Sequence, residues 1–86
     1  MSDISVSLFA RLREELGEGL VTLTPPAVPC TVHDVIGGLA AARGAHWAQV
    51  LQDGNLVIAV NHTVCSRDTL VSPGDELAIF PPVTGG

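Results

Sequence analysis

The chain has 86 residues, 47% of them hydrophobic, enough for one small domain with one core and too few for two. Its longest unbroken apolar run, Leu56 to Val60, falls far short of the roughly 20 residues a spanning helix needs; Met1-Ser2-Asp3 lacks the basic and apolar regions of a signal peptide, so a cytoplasmic protein with no membrane partner is expected. Nine acidic side chains against four basic ones give a formal charge of −5, which repels nucleic acid and excludes it as a partner.

All four cations are arginine (Arg11, Arg13, Arg43, Arg67), and no lysine occurs. This reads either as a compositional bias, shared with the abundant Ala, Gly and Val, or as chemistry. Two cysteines, Cys30 and Cys65, are too few for a four-ligand zinc or iron–sulfur site and read as small buried hydrophobes.

Along the chain, Ile4 followed by Ser5-Val6-Ser7-Leu8 alternates as a strand with one buried face. From Phe9 to Leu16 the period becomes helical, with Phe9, Leu12 and Leu16 on one side and Arg11, Glu14 and Glu15 on the other. Gly17 stands at the C-cap. Leu20 to Leu23 is a second strand, and Pro25, Pro26 and Pro29 form a stiff loop, because proline cannot donate to a ladder. Thr31-Val32-His33-Asp34 has the spacing of a capping box. The helix after it would bury Val32, Val35, Ile36, Leu39 and Ala40. Gly37 and Gly38 cost about 1 kcal/mol each there, tolerable if the helix packs closely on a sheet.

A short helical piece around His46 to Leu51 precedes the Asp53-Gly54 turn. Leu56 to Val60 reads as a central strand covered on both faces. A turn at Asn61-His62, a strand at Thr63 to Cys65, the Ser72-Pro73-Gly74-Asp75 turn and a last strand from Glu76 to Phe80 complete the chain. The order β, helix or turn, β, helix, β, β, β describes an α+β roll of the β-grasp kind, a small mixed sheet with one principal helix across it.

Beyond a domain spanning 1–80, residues 81–86 read as a flexible, extended tail: Pro81-Pro82-Val83-Thr84-Gly85-Gly86. Six residues at about 3.3 Å each give an arm of roughly 20 Å, long enough to enter a partner's active site. If the terminal carboxylate is the reacting group, the glycines matter chemically. A Cβ beside that carbon would obstruct attack and passage through a narrow channel.

The ending from Phe80 through Gly86 resembles that of the sulfur-carrying small subunits of molybdopterin synthase. So do Leu8-Phe9-Ala10-Arg11-Leu12-Arg13-Glu14, the run from Trp47 through Leu51-Gln52-Asp53-Gly54 to Asn61-His62-Thr63, and Gly74-Asp75-Glu76. The matches keep their order over most of the chain, while Thr24 to Cys30 carries no motif of that family. The resemblance implies a ubiquitin-like β-grasp fold and a cycle. An E1-like adenylating enzyme would use ATP and Mg²⁺ to convert the Gly86 carboxylate to an acyl-adenylate. A sulfur donor, a sulfurtransferase, would replace AMP and leave a thiocarboxylate. The tail, Gly85 and Gly86 leading, would then enter the large subunit and give sulfur to cyclic pyranopterin monophosphate, building the dithiolene of molybdopterin. The family assembly is a heterotetramer, and the carrier itself would bind no permanent cofactor and no metal.

A carboxylate is a poor electrophile, and adenylation supplies the leaving group it lacks. The carrier is then a cosubstrate whose side chains do little catalysis. The missing lysines acquire their second meaning here, since an activated C-terminus meets no ε-amine on its own chain. Partner contacts are expected from Phe80, Pro81, Pro82, Val83 and Thr84 and from Phe9, the two phenylalanines belonging otherwise to the core, with Asp75 and Glu76 either complementing a basic surface or simply solvated. Trp47 reads as a packing residue and His33 as a solvated first-turn residue. His33, His46 and His62 match no metal-ligand spacing. Rival readings are a carrier for thiamine, cysteine or tRNA thiolation, a ubiquitin-like protein modifier, and a plain interaction module.

Overall fold

A computed structural model describes residues 3–25 and 28–82. Strand β1 (Ile4–Leu8) turns its first, third and fifth residues, Ile4, Val6 and Leu8, into the core and leaves Ser5 and Ser7 half-buried. Helix α1 (Arg11–Leu16) follows, buries Leu12 and Leu16, and stops at Gly17, whose φ of 78° is the left-handed C-cap conformation. Strand β2 (Leu20–Leu23) then runs back antiparallel to β1, with Val6 opposite Val21.

Next come β3 (Cys30–Thr31), α2 (Val32–Arg43) and α3 (Ala45–Leu51). The last strands are β4 (Val57–Val60), β5 (Thr63–Cys65), β6 (Leu70–Val71) and β7 (Glu76–Phe80). The main sheet has five strands in the order β2-β1-β7-β4-β5. Its central pair, β1 and β7, is parallel, and every other neighbour is antiparallel. All three helices bury their apolar residues against the face of the sheet that carries Val6, Leu8, Ile58, Leu77 and Ile79, and these form one continuous core.

The start of α2 follows from its sequence. The Asp34 amide donates to the Thr31 hydroxyl at 3.2 Å and the Thr31 amide donates to the Asp34 carboxylate at 3.0 Å, a complete capping box. Two further free amides of that first turn, those of Val32 and His33, are taken by the carbonyls of Thr69 and Arg67, each at 2.9 Å. Arg67 returns the connection: one guanidinium nitrogen donates to the carbonyls of Leu51 and Asp53, both at 2.9 Å, closing the C-terminal end of α3. The loop between β5 and β6 thereby ties the ends of two helices together.

Several sequence expectations are corrected. Phe9 does not share a helical face with Leu12 and Leu16; the helix begins two residues later, and Phe9 lies 41% exposed. The break falls at Ala10, whose φ of 52° and ψ of −132° are incompatible with a helical turn. Gly37 is exposed with open space where a Cβ would sit, so close packing does not explain it, and at Gly38 a Cβ would meet Leu23 at an ordinary 3.4 Å. Strand β4 lies one place from the sheet edge, with β7 at the centre, and only Ile58 and Ala59 of it are buried. Ala40 is half-buried at the border of the α2 stripe. The two-stranded ladder β3–β6 has no counterpart in the expected order; its strands are two residues each, too short to leave a period in the sequence.

The backbone and hydroxyl hydrogen bonds from Thr31, with a smaller contribution from the His33 charge, hold the Asp34 carboxyl below its ordinary value of 3.8. A folded-state value that is depressed means stability present above the ordinary value and lost as the pH falls through and below it. Thr31→Ala is expected to cost about 1 kcal/mol near neutral pH, read by urea unfolding. Asp34→Asn should flatten the decline of melting temperature below pH 3.8; an unchanged slope would show that the box does not titrate with folding.

Candidate functional site

The face of the sheet away from the helices carries no covering element among the described residues. Its composition follows from strand alternation and register. Ser7 stands opposite Leu20 on one side and Ala78 on the other, Ala78 opposite Ala59, and Ala59 opposite Val64. A row of small side chains therefore crosses the middle of the sheet. It ends at two exposed aliphatic residues, Leu20 at 62% and Val64 at 72% exposure. The small central residues make the floor of a shallow cavity of about 290 Å³, walled by Phe9, Val64 and Phe80 with His62 and Glu76 at its rim.

The aromatic wall comes from the parallel pairing of β1 and β7. Leu8 is in register with Ile79, so the residues after them, Phe9 and Phe80, fall side by side on the outer face. The Phe9 amide donates to the Ile79 carbonyl at 3.2 Å, continuing the ladder one residue past the strand. The two rings stack with centroids 4.5 Å apart and planes 9° from parallel. Ala10 then turns the chain away into α1, its carbonyl accepting from the amides of Arg13 and Glu14. A non-glycine residue at φ 52° is strained, and here the strain sits beside the aromatic pair.

The start of β7 is held by a latch. Asn61 donates its backbone amide to the Glu76 carbonyl at 2.8 Å, its side-chain oxygen accepts from the Glu76 amide at 3.0 Å, and its side-chain nitrogen donates to Asp75 at 3.1 Å. The other Asp75 oxygen accepts from the Ser72 amide at 2.8 Å. Both Asp75 oxygens thus hold the turn. Glu76 is exposed, 3.5 Å from the imidazole of His62. Asn61 and His62 both adopt positive φ, 49° and 71°, as a two-residue hairpin turn between β4 and β5 requires.

Of the partner-contact residues expected from sequence, Phe9 and Phe80 come together on this face, and Pro81 and Pro82 follow half-buried. Val83, Thr84, Gly85 and Gly86 lie outside the described residues. Val64 and Leu20 were missed, since a lone exposed aliphatic residue in a short strand carries no signal until the register places it beside the aromatic wall. Trp47 is buried, with Arg43 over its ring at 5.2 Å, and His33 is exposed. Cys30 is buried and Cys65 half-buried. Among the described residues no three His, Cys, Asp or Glu side chains gather as metal ligands, and no helix is long and apolar enough to cross a membrane.

A mixed sheet ordered 2-1-5-3-4 in its own strands, with a principal helix across one face and a glycine-ended segment after its central strand, defines a ubiquitin-like β-grasp domain. Its likeness to solved structures agrees: small archaeal modifier protein 1 of Haloferax volcanii superposes with a TM-score of 0.79 at 27% identity, covering 96% of this chain and all of that one. The chain belongs to the ThiS family, whose model matches residues 6–86. It is 41% identical over 83 residues to the molybdopterin synthase sulfur carrier subunit of Escherichia coli, covering 96% of this chain and 99% of that protein. The protein of the same description in Haemophilus influenzae is 35% identical with the same coverage.

The two faces of the sheet predict opposite responses to substitution. Val64→Asp and Phe9→Ser, on the wet face, should leave thermal melting by circular dichroism nearly unchanged. Leu77→Ala, one residue from Ala78 but facing the helices at 1% exposure, should cost about 2–5 kcal/mol. Equal losses at Val64 and Leu77 would show that the outer face is part of the core.

Proposed function

We propose that this protein is the sulfur-carrier subunit of a molybdopterin synthase, working in the cytoplasm. The observation that carries the reading is the 41% identity to the Escherichia coli carrier over nearly the whole of both chains. The tail's position adds to it. Residues 81–86 follow directly from β7, the central strand, so an enzyme acting on Gly86 works on an arm rooted in the most firmly held part of the domain.

In this reading an E1-like enzyme uses ATP and Mg²⁺ to adenylate the Gly86 carboxylate. AMP then leaves as a sulfurtransferase supplies sulfur, giving the thiocarboxylate. The large subunit binds the outer sheet face and the tail, and takes the sulfur for the dithiolene of molybdopterin in a heterotetramer of two carriers and two large subunits. The stacked Phe9–Phe80 pair, Val64 and the small floor between them suit an apolar partner surface. A rim holding Glu76, on a chain of net charge −5, favours a basic border around it. The carrier's own part is to present a carbonyl without bulk and a surface that docks it. No side chain of the domain needs to take part in bond making.

A second reading has one observation in its favour. The chain is also 34% identical over 84 residues to small archaeal modifier protein 1 of Haloferax volcanii. Ligation of Gly86 to lysines of other proteins would use the same activated carbonyl with an amine in place of sulfur. Carriers for thiamine, cysteine or tRNA thiolation share the fold and the first chemical step.

Intact-mass measurement after incubation with an activating enzyme, ATP and a sulfur donor tests the proposal. The expected product has one terminal oxygen replaced by sulfur, and removal of Gly86 should abolish it while leaving thermal melting unchanged. Adding the large subunit and the pyranopterin precursor should return the carboxylate form. Covalent adducts on unrelated proteins, with no sulfur exchange, would favour the modifier reading instead. Val64→Asp and Phe80→Ala should weaken binding to the large subunit by about tenfold or more, near 1.4 kcal/mol, in titration calorimetry.

A further inference from the structure

The outer face of the sheet carries two features of opposite shape side by side. Ser7, Ala78 and Ala59 floor a cavity of about 290 Å³, and beside it stand the stacked rings of Phe9 and Phe80. A cavity of roughly 150 Å³ holds one benzene, so this one has room for a pair of rings. One surface thus presents both a double-ring knob and a hole of matching size, which makes it complementary to itself. Their order along β7 fixes how two copies can meet. Phe80 ends the strand and Glu76 begins it, with Ala78 between them. A two-fold axis along β7 would set ring pair against ring pair and leave both floors empty. With the axis across β7 near Ala78, the strands of the two copies run antiparallel. Each ring pair then enters the open end of the other cavity, beside Val64, His62 and Glu76. There the positive edge of a ring meets the Glu76 carboxylate.

We propose that the outer face docks a second copy of this chain, forming a weak face-to-face dimer in which the Phe9–Phe80 pair of each copy fills the cavity of the other. The proposal goes beyond the carrier reading and does not depend on it. The available surface sets the strength. Five strands at about 4.8 Å and some four residues at about 3.3 Å give a face of roughly 300 Å² on each copy, which the projecting rings enlarge. Two such faces stay at or below the roughly 1,200 Å² where specific stable interfaces begin, so the contact is transient, half-formed at about 0.1–1 mM. Each copy carries a formal charge of −5, and Glu76 stands at the rim of both faces, so the copies repel one another at long range. Salt screens that repulsion and leaves the apolar contact intact, so association strengthens as salt rises. An interface held by ion pairs would respond in the opposite sense. The dimer covers Phe9, Val64 and Phe80, so any partner taking that face must displace the second copy.

Sedimentation equilibrium of the full chain alone tests this, from about 10 µM to about 2 mM in NaCl of roughly 0.15 M and 0.5 M. The mass should rise from 8.9 kDa toward twice that value, with the midpoint at a several-fold lower concentration in the higher salt. Val64→Asp and Phe9→Ser should move the midpoint upward about tenfold or more. Leu70→Asp, at an apolar position on β6 that is 65% exposed, should leave it unchanged. In a mixture of isotope-labelled and unlabelled chains, nuclear Overhauser contacts should join the rings of one copy to the Ala59, Ala78 or Val64 methyl groups of the other, and fade on dilution. A monomer at every concentration in the higher salt overturns the proposal, as does an equal loss in Leu70→Asp or growth beyond the dimer. A dimer that lacks the ring-to-methyl contacts overturns it as well.

Discussion

The parallel pairing of β1 with β7 is the constraint on which the rest of this domain depends. It brings the first and last strands of the chain together at the centre of the sheet, with Val6 opposite Leu77 and Leu8 opposite Ile79, all 2% exposed or less. Parallel strands cannot be joined by a tight turn, so the chain between them must cross over, and the helices and the antiparallel strands β2 and β4 are accommodated on that route. The same register brings Phe9 to Phe80. The aromatic wall and the placement of Pro81 after the central strand are thus consequences of core pairing rather than separate inventions.

Alternation along the central strands keeps the core and the exposed apolar row on opposite sides of one sheet. Leu77 and Ile79 face the helices, while Glu76, Ala78 and Phe80 face outward. The floor of small side chains is possible because the helix side alone supplies the core. A face relieved of packing is free to be shaped for a partner, and its cost is exposed apolar surface at Leu20, Val64 and Phe9. The strained Ala10 and the positive-φ turn at Asn61-His62 both border this face, as expected where backbone conformation is set by placement of side chains rather than by local comfort.

The chemistry proposed for Gly86 asks little of the domain's side chains and much of what they leave out. Glycines at the end remove bulk. The polar groups with firm partners are structural: Asp75 and Asn61 latch β7, Asp34 caps α2, and Arg67 ties the loop between β5 and β6 to α3.

Much of this was legible in the amino-acid sequence. The alternation of Ile4 to Leu8 and the proline and glycine punctuation marked strands, while Thr31 with Asp34 marked the helix start. All are local signals, set by the period of the backbone and by caps three residues apart. The signal of residues 81–86 is compositional as well: prolines, then glycines without bulk. What only the tertiary structure decided involves partners distant in sequence. Helical spacing placed Phe9 with Leu12, yet the left-handed turn at Ala10 and the register with β7 put it on the other side of the sheet. Val64 became part of a surface only when β5 was aligned with β4, and Asp75 ceased to be a free charge only when Asn61 and Ser72 closed around it. Sequence period determines which side chains share a face; the pairing of strands some 70 residues apart determines which faces meet.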